Sequence, residues 1–162
     1  MLRTVFDTQI GLCALSWNEK GLSSFTLPPA APAINDSVVP SPEIEAIIVR
    51  VKQHLRGESQ DFADLTYDFE NVPVFQAAVL RATLGIKSGQ TSSYGAIATV
   101  IGQPPAASRA VGAALGANRW PLLIPCHRIV SATGRMVGFS GPGGIKTKLK
   151  LLALEGAELF AE

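Results

Sequence analysis

Only two cysteines, Cys13 and Cys126, and two histidines, His54 and His127, occur among the 162 residues. That is too few thiols for a disulfide framework and too few ligands for a structural zinc site. Charged residues make up 17% of the chain and aromatics 7%. No uninterrupted apolar run approaches the roughly 20 residues that a membrane-spanning helix needs. The opening run Met1-Leu2-Arg3-Thr4-Val5-Phe6-Asp7 lacks the long apolar core of a secretory signal. These absences argue against a membrane protein and a disulfide-stapled secreted one, and a cytoplasmic protein is expected. The apolar content, 47%, is ample for a packed core. Cys13 is expected to be a small core residue.

A net charge of +1 hides an asymmetry. Residues 1–71 carry five basic side chains against ten acidic ones, net −5. Residues 72–162 carry nine basic against three acidic, net +6. Two domains are expected from this split, an N-terminal one with its linker over 1–71 and a C-terminal one over 72–162. The basic half suits a polyanion, with the acidic half facing away. An ordinary solvated surface would also explain the charge alone.

Short, partly alternating runs from Arg3 to Leu27, broken at Ile10-Gly11 and Asn18-Glu19-Lys20-Gly21, predict two or three strands in a meander. Five of the 11 prolines then mark an irregular connection. The spacing of Ile44, Ile47, Ile48, Val51 and Leu55 predicts a helix from Glu43 to about Arg56, capped by Gly57 and covering the sheet. Asp61 to Asn71 reads as an acidic strand or linker, and Pro73 opens a helix expected to reach about Lys87.

The run Pro125-Cys126-His127-Arg128 follows apolar Leu122-Leu123-Ile124 and sets a candidate nucleophile beside a candidate base. A cysteine reacts as thiolate, and a nearby imidazole is the usual means of making one. In a regular strand these neighbours point to opposite faces. They can cooperate only if Pro125 breaks the strand into a turn, or if a water bridges them. An inert buried cysteine is the alternative reading.

Upstream, Ser92 or Ser93 can cap a helix from Tyr94 to about Ile101. Gly102-Gln103-Pro104-Pro105 makes a turn, and a second helix runs from about Ala106 to Ala117, spaced as in a helix-turn-helix. That second helix is built almost wholly from Ala and Gly, with Arg109 its long polar side chain near the start. So slim a helix can enter a nucleic-acid groove with Arg109 leading, or pack tightly on a neighbouring helix. Downstream, the Gly-rich run from Gly138 to Gly144 is a plausible pocket wall, or simply a turn; it does not fit a phosphate loop. The last helix, about Ile145 to Leu154, is expected to turn Ile145, Leu149 and Leu152 inward and Lys146, Lys148 and Lys150 outward. Glu155 at its C-terminal end is disfavoured by the helix dipole, which points to a carboxylate kept for a partner such as an imidazole.

These residues together resemble the O6-alkylguanine-DNA alkyltransferase family, also called methylated-DNA-protein-cysteine methyltransferases. Ile124-Pro125-Cys126-His127-Arg128-Ile129-Val130 resembles the family's active-site signature. Thr91 to Gly95, Arg109-Ala110-Val111-Gly112, Asn118 and Leu152 to Gly156 match its other landmarks in order. The likeness is strong over about 66–158 and weaker in front. It implies an α+β protein with a small sheet-and-helix (ribonuclease H-like) N-terminal domain. A mostly helical, winged-helix-like domain follows, carrying the helix-turn-helix and the reactive cysteine.

The resemblance further implies repair by direct reversal on double-stranded DNA containing O6-alkylguanine, and O4-methylthymine too. The helix-turn-helix would enter the minor groove, with Arg109 filling the space left by an extruded nucleotide. Thr91, Ser93, Tyr94, Ala110, Gly112 and Arg128 would join it on DNA. Pro121, Ile129, Val137, Phe139 and Ser140 would surround the flipped base. Cys126 would be the nucleophile and His127, oriented by Glu155, its base through a water. Tyr94 would assist departure of the guanine, and Asn118 would tie the recognition helix to the active-site turn. Each molecule would act once, as a monomer, with no cofactor, no metal and no membrane. Phe139 stands where many relatives have tyrosine, the loop through Pro142-Gly143-Gly144 is longer than in mammalian relatives, and the cysteine-rich zinc region fused in front of some bacterial relatives is lacking. Competing functions are a damage-sensing module that lacks the reactive cysteine, a cysteine hydrolase and a transcription regulator. Cys126 argues against the first, Arg109 with the tandem helices against the second, and Glu155 against the third.

Overall fold

Three strands open the chain: β1 (Leu2–Thr8), β2 (Gly11–Asn18) and β3 (Gly21–Thr26). They form an antiparallel meander in the order β1-β2-β3. The computed structural model describes residues 2–29, 37–131 and 144–157. Alternation was only partial in the sequence because β2, the central strand, is buried without a break from Cys13 to Trp17. Cys13 is fully buried, as expected, and burial pushes its thiol up to about 12. The β2–β3 turn needs Gly21, which sits at φ +131 where an added Cβ would meet the Thr66 carbonyl oxygen at 2.6 Å.

Helix α1 (Pro42–Leu55) is capped by Ser41, whose Oγ accepts from the Ile44 amide, and carries Glu43 and Glu45 in its first turn. Gly57, at φ +95, ends it as expected. Its inward stripe is Ile44, Ile48, Val51, His54 and Leu55. Lys52 Nζ lies 5.9 Å from the centre of the Phe6 ring, on β1. The segment up to Asn71 is a linker that bridges to the sheet at Leu22 with Tyr67 and accepts a bond from Asn18 Nδ2 on Asp68 at 2.8 Å.

Helix α2 (Val74–Thr83) starts after Pro73 but ends four residues before Lys87. Gly85 and Ile86 turn back to bond the carbonyls of Ala82 and Thr83, which frees the Ile86 carbonyl for Arg128 Nη1 at 2.6 Å. The tandem helices follow as α3 (Tyr94–Val100), capped by the Ser93 hydroxyl, and α4 (Ser108–Gly116), preceded by a 3-10 turn Pro105–Ala107. Two short strands, β4 (Ser92–Ser93) and β5 (Ile129–Val130), pair in parallel. Helix α5 (Gly144–Leu154) closes the described chain. Leu152 is buried and Lys146 and Lys150 are exposed, as expected, but Lys148 and Leu151 are buried as well and Leu149 is 36% exposed. The inward amine finds a carbonyl partner, described below, which the sequence pattern could not show.

One apolar cluster runs from Phe6 to Leu151 and joins both halves of the chain. At the joint stands Trp120, fully buried, donating Nε1–H to the Leu22 carbonyl at 2.9 Å. Its ring meets Tyr67 and Phe69 edge-on at 5.7 and 5.2 Å. The overall class is therefore a mixed α/β fold with a small antiparallel sheet and packed helices. Among the described residues no helix is long and apolar enough to cross a membrane.

Candidate active site

The segment leading to Cys126 does break out of strand geometry. Leu122, with its side chain buried, is held at φ +79, a left-handed conformation that costs a non-glycine residue on the order of 1 kcal/mol. Pro125 at φ −80, ψ 62 makes an inverse γ-turn, with the Cys126 amide donating to the Ile124 carbonyl at 2.7 Å. Cys126–Arg128 then form one 3-10 turn closed by Arg128 N–H to the Pro125 carbonyl at 2.9 Å. Consecutive side chains diverge by about 120° there instead of 180°. β5 begins at once and pairs with β4, which sets Ser92 beside Ile129 and Ser93 beside Val130; Tyr94, next in the chain, lies near enough to Cys126 to feel its charge.

Cys126 is 8% exposed. Burial pushes its thiol up, against a hydrogen bond from Asn118, the Lys148 charge, and the backbone amides of Cys126 and His127. Asn118 also donates Nδ2–H to the Ile124 carbonyl at 2.9 Å and accepts the Trp120 amide at 2.9 Å, so it ties the end of α4 to the cysteine turn. Lys148 donates to the Ile129 carbonyl at 2.6 Å, and burial holds its amine below the usual lysine value. Tyr94 is half-buried; burial, then the charge of Cys126, push its hydroxyl up.

His127 is fully buried and meets Glu155 Oε2 through Nε2 at 2.8 Å. Burial lowers its pKa more than the Glu155 bond and charge raise it, so the ring is neutral near pH 7. A carboxylate only accepts, so the neutral ring carries its proton on Nε2 and leaves Nδ1 as a base. Nδ1 is buried without a hydrogen-bond partner among the described residues. Glu155 holds two further groups: Arg128 bidentately, Nε to Oε1 and Nη2 to Oε2 at 2.8 Å each, and His54 Nε2 to Oε2 at 2.9 Å. Burial would raise the Glu155 carboxyl, but the bonds from Arg128, His127 and His54 outweigh it and hold it well below the usual carboxylate range.

Arg128, expected on DNA, is corrected by this geometry. It is 3% exposed, and its guanidinium is spent on Glu155 and the Ile86 carbonyl, leaving no free face for a phosphate. Arg109, Ala110 and Thr91 are exposed, Ser93 and Gly112 half-buried. Gly112 faces the Tyr94 ring, with an added Cβ 3.7 Å from its edge. On α4 the buried positions are Val111, Ala114 and Leu115, while Ala110, Ala113 and Gly116 face outward. Much of the small-residue surface is thus open and not consumed by helix packing. Pro121 and Ile129 are buried beside the turn. Val137, Phe139 and Ser140 lie outside the described residues. Among the described residues no group of three His, Cys, Asp or Glu side chains is arranged to hold a metal ion.

Sequence reasoning missed three contributors. His54 is remote from the motif, Lys148 reads as a surface charge, and the left-handed Leu122 leaves no signal in an ordinary apolar run.

Known proteins resemble this chain in sequence and in fold. Residues 74–157 match the family model described as 6-O-methylguanine DNA methyltransferase, DNA binding domain. The methylated-DNA–protein-cysteine methyltransferase of Mycobacterium tuberculosis strain H37Rv is 42% identical over 113 residues, covering 70% of this chain and 66% of that protein. A DNA base-flipping protein of Thermus thermophilus is 40% identical over 121 residues, covering 72% of this chain and 79% of that one. The crystal structure of Mycobacterium tuberculosis OGT in complex with DNA superposes with a TM-score of 0.80 at 33% identity, covering 96% and 93% of the two chains. With the matched segment enclosing Tyr94, Arg109, Asn118, Cys126, His127 and Glu155, this chain belongs to the 6-O-methylguanine DNA methyltransferase family.

Proposed function

We propose that this chain repairs DNA by moving an alkyl group from O6 of guanine to its own Cys126, once per molecule. The observation that carries the reading is the arrangement around Glu155: it fixes Nε2–H of His127 and so frees Nδ1 to take the thiol proton. Burial keeps Cys126 protonated until then, so activation is local to the loaded site. A water can bridge thiol and imidazole.

The step is an SN2 displacement. His127 takes the proton, the Cys126 sulfur attacks the alkyl carbon, and the C–O6 bond breaks with its electron pair going to guanine. Tyr94, whose raised pKa keeps its proton, donates it to the departing base. The products are guanine and S-alkylcysteine, and a thioether offers no route back to the thiol. No cofactor takes part. Asn118 and Lys148 stabilise the sulfur as it gains charge.

O6 of a paired guanine lies inside the duplex, so the nucleotide must be extruded at a cost of a few kcal/mol. The exposed small face of α4 suits a minor groove, with Arg109 standing in the gap. Thr91, Ser93, Ala110 and Gly112 would line the DNA, and Pro121 and Ile129 the base. The finer architecture we propose is a ribonuclease H-like N-terminal domain over 1–71, facing away from DNA, and a winged-helix-like one over 72–162. The protein would act as a cytoplasmic monomer.

Intact mass after incubation with a duplex containing O6-methylguanine tests the reading. One methyl gained per chain, absent in Cys126→Ala, supports it. Tight lesion binding without mass gain would make the chain a damage-sensing module instead.

A further inference from the structure

His54 sits on the inward stripe of α1, where Val51 and Leu55 flank it and an apolar residue would pack without cost. The ring is 2% exposed and stacks at a tilt on Phe62, 5.6 Å between centres. Its two nitrogens are both engaged. Nδ1 accepts the backbone amide of Gln60 at 3.0 Å, so in the neutral ring the proton resides on Nε2. That Nε2–H points at Glu155 Oε2, 2.9 Å away.

We infer that His54 is a positioning residue for the transfer chemistry: by donating Nε2–H to Glu155 Oε2, the N-terminal half fixes the carboxylate that orients His127. The inference rests on the transfer reading above. Oε2 receives three donors, His54 Nε2, His127 Nε2 and Arg128 Nη2, while Oε1 receives Arg128 Nε. Arg128 alone defines the carboxylate plane but approaches from one side. His54 arrives from another element, so the carboxylate cannot swing away from His127 without breaking a buried bond. A donor on Oε2 also draws off part of the charge that would otherwise hold a proton on His127. The groups facing His127 are Glu155, Arg128 beside it in the chain and His54 of α1, and the latter two both favour the neutral ring.

Two amide substitutions separate the contacts of His54. An asparagine places its oxygen near the Nδ1 position and keeps the Gln60 amide satisfied, but cannot reach Glu155. A glutamine places a donor near the Nε2 position. Single-turnover methyl transfer by the full chain to Cys126 is measured from pH 5 to 9 alongside lesion-duplex affinity. His54→Asn is expected to slow transfer about tenfold and move the acid limb of the profile to higher pH, with DNA affinity unchanged. His54→Gln is expected to recover most of that rate. Equal rates for the two variants, whether both fast or both slow, would overturn the inference. If neither variant folds, 15N spectra of the unaltered protein decide: His54 in the Nε2–H tautomer supports it, and the Nδ1–H tautomer overturns it. Transfer by the unaltered protein is the separate control, since its absence would sink the transfer reading itself.

Discussion

Arg128 and Glu155 meet through two parallel bonds of 2.8 Å, with side chains 3% and 1% exposed. A buried pair of this kind is costly to break, because one partner is left charged and unpaired.

Arg128→Ala should therefore lose about 3–5 kcal/mol in urea denaturation, a loss that a surface phosphate-binding arginine would not show. The pair also sets an acid limit. Glu155 titrates lower in the fold than in the unfolded chain. Its contribution is full above the unfolded value of about 4.3 and is lost as pH falls below it toward the folded one. The urea midpoint should decline below about pH 4, and Glu155→Gln should flatten that part of the curve.

Lys148→Met keeps an unbranched side chain one atom shorter and removes the charge that favours the Cys126 thiolate. Alkylation of Cys126 by a small neutral reagent, followed against pH by mass, should shift to higher pH. An unchanged profile would show that the amine serves only the Ile129 carbonyl.

Arg109→Ala should act on extrusion and not on chemistry. Transfer from a duplex should slow by roughly a factor of ten or more, given the few kcal/mol that extrusion costs. Transfer from free O6-methylguanine should keep its rate. Equal losses on both substrates would place Arg109 in the chemistry or the fold.

Asn118→Ala removes the carbonyl and amide contacts that join α4 to the cysteine turn, at 2.9 Å each. Thermal unfolding should report a loss of about 1–3 kcal/mol, and the thiol should titrate higher, since its Asn118 bond favours the thiolate.

Local signals in the chain carried much of this. Ser93, Gly57 and Pro73 mark helix ends, and Pro125 marks the turn at the nucleophile, because caps and turns depend on residues a few positions apart. Glu155 stood out as a carboxylate at the wrong end of a helix dipole, and the structure surrounds it with donors. What escaped was set by distant partners. Lys148 reads as solvated by its charge, yet its amine is satisfied by the Ile129 carbonyl on another element. Arg128 was expected on DNA from the resemblance, yet a buried carboxylate claims it. His54 has no local feature to distinguish it from a stray polar residue on an apolar stripe.

The bond between His54 and Glu155 spans 101 residues of sequence. Contacts so distant raise the contact order, and loop-closure entropy must be met before they form. The helix-turn-helix is assembled from neighbours and can form early. Glu155 acquires its full set of donors only when α1 and the chain end have docked on one another. Contact order thus sets completion of the donor set around Glu155 after formation of the local helix pair α3 and α4.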